Sequence, residues 1–195
     1  MDIKLMTKGI HDCACGKDHN CPIDFVEIGS GVLPRIVDIC QGYGRIVLVA
    51  DQNTWRVCGE EVAKLLGEQV EDTIVFQTGD KPLIPDEEAL AAIEAKVTKA
   101  TDLIVGVGSG VINDLCKQIS FAAGLPYYIV ATAPSMDGYA SVGSALILKG
   151  MKVTLNARPP KAILADTKVL KDAPMDMLQA GFGDIVGKYS CLNDW

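Results

Sequence analysis

The sequence predicts an α/β fold in which a mostly parallel sheet carries helices on both faces. Three features predict it. Short runs of apolar, often β-branched residues recur along the chain without the alternation of a half-exposed strand, as strands buried on both faces require. Between them lie segments whose apolar residues repeat with the helical period. The turns joining the two kinds of segment are short and carry Gly or Asp, the arrangement of right-handed βαβ crossovers.

The elements follow in order. Asp24–Ile28 reads as a short strand, and Ser30–Cys40 as a helix with apolar residues at 32, 33, 36, 37 and 40. Arg45–Ala50 (RIVLVA) is a buried parallel strand, and Thr54–Leu66 a helix. Thr73–Gln77 is the next strand. Asp86–Lys99 follows as a helix, with Pro85 and Asp86 as its start signal and Leu90, Ile93 and Val97 on one stripe. Asp102–Gly106 is a strand, Gly110–Ala123 a helix with Val111, Leu115, Ile119 and Ala122 in register, and Tyr127–Ala131 a strand. After about position 142 the pattern changes: Ser144–Lys149 and Lys152–Leu155 flank Gly150 as a hairpin. Lys161–Ala165 is one more strand, and Pro174–Tyr189 a helix with proline near its first turn. No internal repeat or low-complexity tract interrupts the series.

Composition narrows the function classes. The 195 residues hold 18 Lys+Arg against 25 Asp+Glu, a formal charge of −7, with 49% hydrophobic and 22% charged residues. That is the balance of a folded globular chain, and its acidity argues against non-specific nucleic-acid binding. No window approaches the roughly 18 apolar residues of a membrane span, and the charged N-terminus lacks the apolar centre of a secretory signal. Seven cysteines, an odd number and mostly isolated, point to a reducing cytoplasm. Two histidines exclude a mechanism that needs several imidazoles from this chain.

In parallel sheets ligands bind beyond the carboxyl ends of the strands, which directs attention to the segments after positions 50, 106 and 131. The strongest is Gly106-Val-Gly-Ser-Gly110 leading into a helix: glycines permit close backbone approach, and the free N–H groups of a helix start favour phosphate oxygens. It lacks the full dinucleotide fingerprint, since Val111 and Asn113 stand where glycines would, and it lacks the GK[ST] of a P-loop, so a ligand-free tight turn is the competing reading. Asp51 ends a strand where a carboxylate can accept from a ribose diol or cap the next helix. Thr132-Ala-Pro-Ser-Met-Asp-Gly-Tyr-Ala-Ser141 is either a site loop or a surface turn. Gly181 and Gly183 each cost a helix roughly 1 kcal/mol, which implies close approach by a backbone or ligand. Asp184 then lies on the approached face, or makes an i,i+4 ion pair with Lys188. His11, Cys13, Cys15, His19 and Cys21 gather in eleven residues, as a zinc knuckle or an exposed leader loop.

Taken together, CACGKDH, IVLVADQNT, GVGSGVINDLCK, ATAPSMDGYAS, PPKAILAD and AGFGDIVGKYSCLNDW resemble the iron-containing alcohol dehydrogenase and dehydroquinate synthase-like superfamily, and within it the sn-glycerol-1-phosphate dehydrogenases. The resemblance implies a Cys/His leader (residues 1–22), a Rossmann-like NAD(P)-binding domain (23–166) and the start of an all-helical metal-binding domain (167–195). By motif, Asp51 would hold the adenosine ribose. Gly110, Val111, Ile112, Asn113 and Asp114 would embrace the pyrophosphate, with Gly108 and Ser109 shaping the turn. Thr132, Ala133, Pro134, Ser135 and Ser141 would line the nicotinamide side, and Asp137 would contact the substrate hydroxyl. Asp184 would ligate a divalent metal, zinc or nickel, and contact substrate.

The family's other metal ligands are histidines beyond position 195, and this chain has no histidine after His19. The implied activity is interconversion of dihydroxyacetone phosphate and sn-glycerol 1-phosphate, with this chain as the cofactor-binding half, inactive alone and oligomeric in the full-length form. The alternatives are a glycerol or alcohol dehydrogenase or a dehydroquinate synthase-like enzyme, a non-catalytic nucleotide-binding module, and a structural protein whose leader binds zinc.

Overall fold

The computed structural model describes residue 5 and residues 7–193; the start of the predicted leader and the final Asp-Trp of the last motif lie outside the described residues. Strand β1 (Phe25–Gly29) is followed by a 3₁₀ turn (Leu33–Arg35) and a short helix α1 (Ile36–Ile39). After β2 (Ile46–Asp51) comes a helical run of three parts: α2 (Gln52–Thr54), a π-helical turn (Trp55–Gly59) and α3 (Glu60–Leu66). The chain continues through β3 (Val70–Phe76), α4 (Glu87–Glu94), β4 (Leu103–Gly108), α5 (Gly110–Ala123) and β5 (Tyr127–Ala131). A hairpin of β6 (Gly143–Leu148) and β7 (Met151–Asn156) precedes β8 (Ala162–Asp166), α6 (Thr167–Leu170) and α7 (Met175–Cys191).

The predicted α/β class holds. Six strands form one sheet in the order β1-β8-β5-β4-β2-β3, every pairing parallel, and the hairpin is antiparallel as expected. The pleat sends successive β2 residues to opposite faces. Ile46, Leu48 and Ala50 join α1 and α3 through Ile36, Cys40, Val62 and Leu66. Val47 and Val49 join α4 and α5 through Ile93, Ile112, Leu115 and Ile119. Both faces of β2 and β4 are therefore dry, which is why their sequences read as unbroken apolar runs.

Several boundaries differ from the sequence expectation. The helix expected over Ser30–Cys40 begins only at Leu33, because the buried Asp166 carboxylate accepts from the N–H groups of Gly31 (2.9 Å) and Leu33 (3.0 Å) and holds the chain in a turn at Gly31, φ +73°. The helix expected to reach Lys99 ends at Glu94. Hydroxyls compete for its backbone there, with Thr98 N donating to Thr101 Oγ1 (2.9 Å) and Ala100 N to Thr98 Oγ1 (3.1 Å). Strand β4 runs two residues past Gly106, since Val107 and Gly108 pair with Val130 and Ala131.

Candidate functional site

The sheet order creates the site. From β2 the chain moves to β3 on one side and then returns to β4 on the other, so the carboxyl ends of β2 and β4 diverge into a crevice. A cleft of about 810 Å³ opens there, lined among others by Asp51 at the end of β2, Ser109, Val111 and Ile112 at the start of α5, and Thr132 and Ala133 after β5. These six come from the three segments that the sequence singled out.

Each wall has a local cause. Asp51 caps the helical run: its Oδ1 accepts from Asn53 N (2.8 Å) and Thr54 N (2.9 Å), while Thr54 Oγ1 accepts from Asp51 N (3.0 Å). Oδ2 takes no part in the cap. Across the cleft, α5 starts at Ser109 with no side-chain cap. Asn113 N already donates to Ser109 O (2.9 Å), but the earlier N–H groups of this fourteen-residue helix have no helical acceptor before them. Gly108 is required by the turn itself, because a Cβ there would lie 2.5 Å from Ile112 Cβ, and Ile112 is the residue that anchors the helix to the sheet.

The remaining predicted residues are not among those that line this cleft. Gly110 lies in the first turn of α5, its Cβ position 3.2 Å from Met136 Sδ. Asn113 is fully buried beneath the helix, where Tyr127 Oη donates to its Oδ1 at 3.3 Å. Asp114 faces the hairpin, with Ser144 Oγ donating to its carbonyl (2.7 Å) and Lys117 Nζ 3.5 Å from its carboxylate. Ser141 accepts from Lys117 Nζ at 3.0 Å. Pro134 and Ser135 pack on α7: a Cβ on Gly181 would overlap the Pro134 carbonyl oxygen and lie 3.3 Å from Ser135 Cα. The close backbone approach expected of the glycine pair is thus made at Gly181, while Gly183 faces open space.

Asp137 and Asp184 come together. Asp137 N donates to Asp184 Oδ2 (2.8 Å), and Lys188 Nζ bridges to Asp137 Oδ2 (2.8 Å) and Asp184 Oδ1 (3.9 Å). The i,i+4 ion pair of Asp184 is therefore present, and it extends to the loop. The hydrogen bond from Lys188 holds the Asp137 carboxyl below its usual range, and Asp137 in turn raises the Lys188 ammonium.

Lys117 was invisible to the sequence reading. Its side chain is fully buried, and its ammonium donates to Gly143 O (2.8 Å) and Ser141 Oγ (3.0 Å) and reaches Gly138 O (3.5 Å), tying α5 to the 132–143 loop. Burial lowers the Lys117 pKa and raises that of Asp114, each pulled back by the other's charge. A lysine at this place in an amphipathic helix gives no sequence signal, since only the tertiary fold covers it. Arg56, Lys81 and Lys168 also line the cleft and were not anticipated. Away from the cleft, Cys13, Cys15 and His19 converge on one another in the leader.

A parallel sheet whose order reverses at a cleft walled by an uncapped helix start and a strand-end carboxylate defines a Rossmann-like architecture. The family described as iron-containing alcohol dehydrogenase matches residues 27–174, and the chain belongs to that family. Glycerol-1-phosphate dehydrogenase [NAD(P)+] of Halalkalibacterium halodurans is 36% identical over 199 residues, covering 99% of this chain and 50% of that protein. The Bacillus subtilis protein of the same name is 39% identical over 153 residues, 77% of this chain and 39% of its own length. The chain thus spans about half the length of the curated relatives it matches or less. Glycerol dehydrogenase from Schizosaccharomyces pombe shares the fold with a TM-score of 0.72 at 24% identity, over 86% of this chain and 43% of that one. Among the described residues no helix is long and apolar enough to cross a membrane.

Proposed function

We propose that the chain is the nucleotide-binding half of an NAD(P)-dependent oxidoreductase acting on dihydroxyacetone phosphate and sn-glycerol 1-phosphate. The observation that carries this reading is the uncapped N-terminus of α5 on the cleft wall, opposite Asp51. Free N–H groups at the positive end of a helix stabilise a pyrophosphate, and the Asp51 oxygen left over from capping is placed to accept from a ribose diol. Thr132 and Ala133 line the same cleft and would lie on its nicotinamide side, and Asp137 lies further along the same loop. When bound, the dinucleotide supplies the hydride chemistry. The phosphorylated triose is assigned because relatives at 36% and 39% identity carry the glycerol-1-phosphate dehydrogenase name. Arg56 and Lys81, which line the same cleft as Asp51, support acceptance of a 2′-phosphate as well as a free diol. Seven free cysteines support a reducing, cytoplasmic setting.

The residues of this chain do not by themselves fit a divalent metal in the cleft. Such sites take about three protein ligands. Asp184 has Asp137 N and Lys188 on its two oxygens, no third ligand-bearing group joins it and Asp137 among the described residues, and both histidines lie in the leader. The chain alone therefore binds nucleotide without turnover.

Ser109→Asp separates binding from folding. An aspartate at this N-cap adds a negative charge at the positive end of α5, worth about 0.3–1 kcal/mol, yet places that charge where the pyrophosphate would sit. The expected result is a more stable chain whose NADH affinity, measured by titration calorimetry, falls at least about tenfold, a loss of about 1.4 kcal/mol. Undiminished NADH binding in this variant would overturn the assignment of the helix start. Reduction of dihydroxyacetone phosphate by the isolated chain would overturn the half-site reading.

A further inference from the structure

The leader holds a cluster that the cleft does not use. The ligand atoms of Cys13, Cys15 and His19 all lie within 4.8 Å of one another, with Cys15 Sγ 3.1 Å from His19 Nε2. A tetrahedral zinc ion with the usual bond lengths sets its sulfur and nitrogen ligands about 3.5–3.8 Å apart, so the three atoms need only small side-chain adjustments, with the Cys15–His19 edge opening slightly, to close on a metal.

The backbone builds the convergence. Ile10 and His19 form an antiparallel bridge with two hydrogen bonds of 2.8 Å, which closes the intervening loop at its base. Gly16 N turns back to Cys13 O at 2.8 Å, and Asp12 N donates to Asp18 Oδ1 at 3.1 Å. Left-handed φ values occur at Gly9 (+73°), Asp12 (+54°) and Gly16 (+78°), and the second is uncommon for a residue with a side chain.

Hydrophobic burial does not account for this shape. Ile10 is 59% exposed, and among described residues up to position 20 none is buried. Hydrogen bonds open to water contribute little net stability. A loop this tightly turned and this poor in apolar contacts is of the kind that a bound metal organises, since metal-binding free energy is available only to the folded form.

We propose that Cys13, Cys15 and His19 bind one zinc ion through two thiolates and one imidazole nitrogen, as a structural clasp on the leader, independent of the nucleotide cleft. Both thiols lose their protons to solvent as the Zn–S bonds form, and no electrons are transferred. Three protein ligands leave the fourth tetrahedral position to water or to Cys21, two residues past His19.

The test uses the whole 195-residue chain, purified under a non-thiol reductant and titrated with Co²⁺ as a coloured substitute for zinc. The expected result is one ion per chain, with a thiolate-to-cobalt charge-transfer band and the intense visible bands of a tetrahedral site. Cys13→Ser/Cys15→Ser abolishes the band, whereas Asp184→Asn and Cys191→Ser keep it. Absence of the band in the wild-type chain, or its survival in the double variant, overturns the proposal.

A second readout needs no variant. Zinc should slow alkylation of Cys13 and Cys15 by about tenfold or more, read by peptide mass, because a metal-bound thiolate is no longer a free nucleophile. It should leave the exposed Cys191 unchanged. Equal alkylation of Cys13 and Cys15 with and without zinc also overturns the proposal.

Discussion

Alanine substitution at Gly181 and Gly183 separates backbone contact from helix propensity, because the two glycines share one helix and differ only in what lies beside them. Both sit inside α7, where Gly→Ala alone stabilises by about 0.5–1 kcal/mol. At Gly183 a Cβ meets nothing within 4 Å, so the whole gain is realised. At Gly181 the new methyl overlaps the Pro134 carbonyl oxygen and crowds the Pro134 carbonyl carbon at 2.9 Å. A backbone carbonyl cannot rotate away as a side chain can, so the cost falls at or above the upper end of the roughly 1–3 kcal/mol typical of overpacking. Subtracting the propensity gain leaves Gly181→Ala about 2 kcal/mol or more less stable than the parent. In a chain of this size each kcal/mol shifts Tm by about 2–4 °C. Thermal unfolding followed by far-ultraviolet circular dichroism should show Gly183→Ala melting a few degrees above the parent and Gly181→Ala several degrees below. A Gly181→Ala chain as stable as Gly183→Ala would refute the packing of α7 on the 134–135 backbone.

Three further outcomes follow from the same structure. Lys117→Met leaves Asp114 without its counter-charge and takes the ammonium donor from the carbonyls of Gly138 and Gly143, and should cost about 3–5 kcal/mol in urea unfolding; adding Asp114→Leu should recover part of that loss. Arg56→Ala should weaken NADPH binding more than NADH binding in calorimetric titrations, because only the former carries the 2′-phosphate that Arg56 would meet near Asp51. For the Asp137–Lys188 pair, the lowered carboxyl pKa gives stability that is present above its unfolded value near 3.8 and lost as pH falls through the folded value; the raised ammonium pKa gives stability that is present below 10.5 and lost as pH rises through its folded value. The advantage of the parent over Lys188→Met in denaturant unfolding should therefore form a plateau between those limits and shrink at both ends.

How much of this was legible in the sequence depended on where the determining contacts lie. Strands β2, β4 and β5 are buried on both faces, so their composition announces them. Edge strand β3 starts three residues before Thr73, at Val70, because Glu71 and Asp72 at its exposed end dilute the apolar signal. Helix α6 is a single turn capped by Asp166, too short to show any period. Asp51 carried two readings, and the cap is visible in the structure while one carboxylate oxygen stays outside it. Lys117 and the basic cleft residues depend on segments distant in sequence, which no local pattern can report.

The start of α5 and the Asp137–Asp184 pair present charge by different physics. At the start of α5 the groups are backbone N–H donors and a helix dipole, which stay in place whether or not a ligand arrives. On the Asp137–Asp184 side the groups are side chains already satisfied by one another, with Lys188 in the position that a cation would take. An ion approaching Asp184 must therefore displace the Lys188 ammonium rather than share the carboxylates with it, and it gains only one Asp184 oxygen that is not held by the Asp137 N–H. The start of α5 therefore offers its donors as folded, whereas the acidic pair is neutralised internally, and a cation would need further ligands to make displacement of Lys188 favourable.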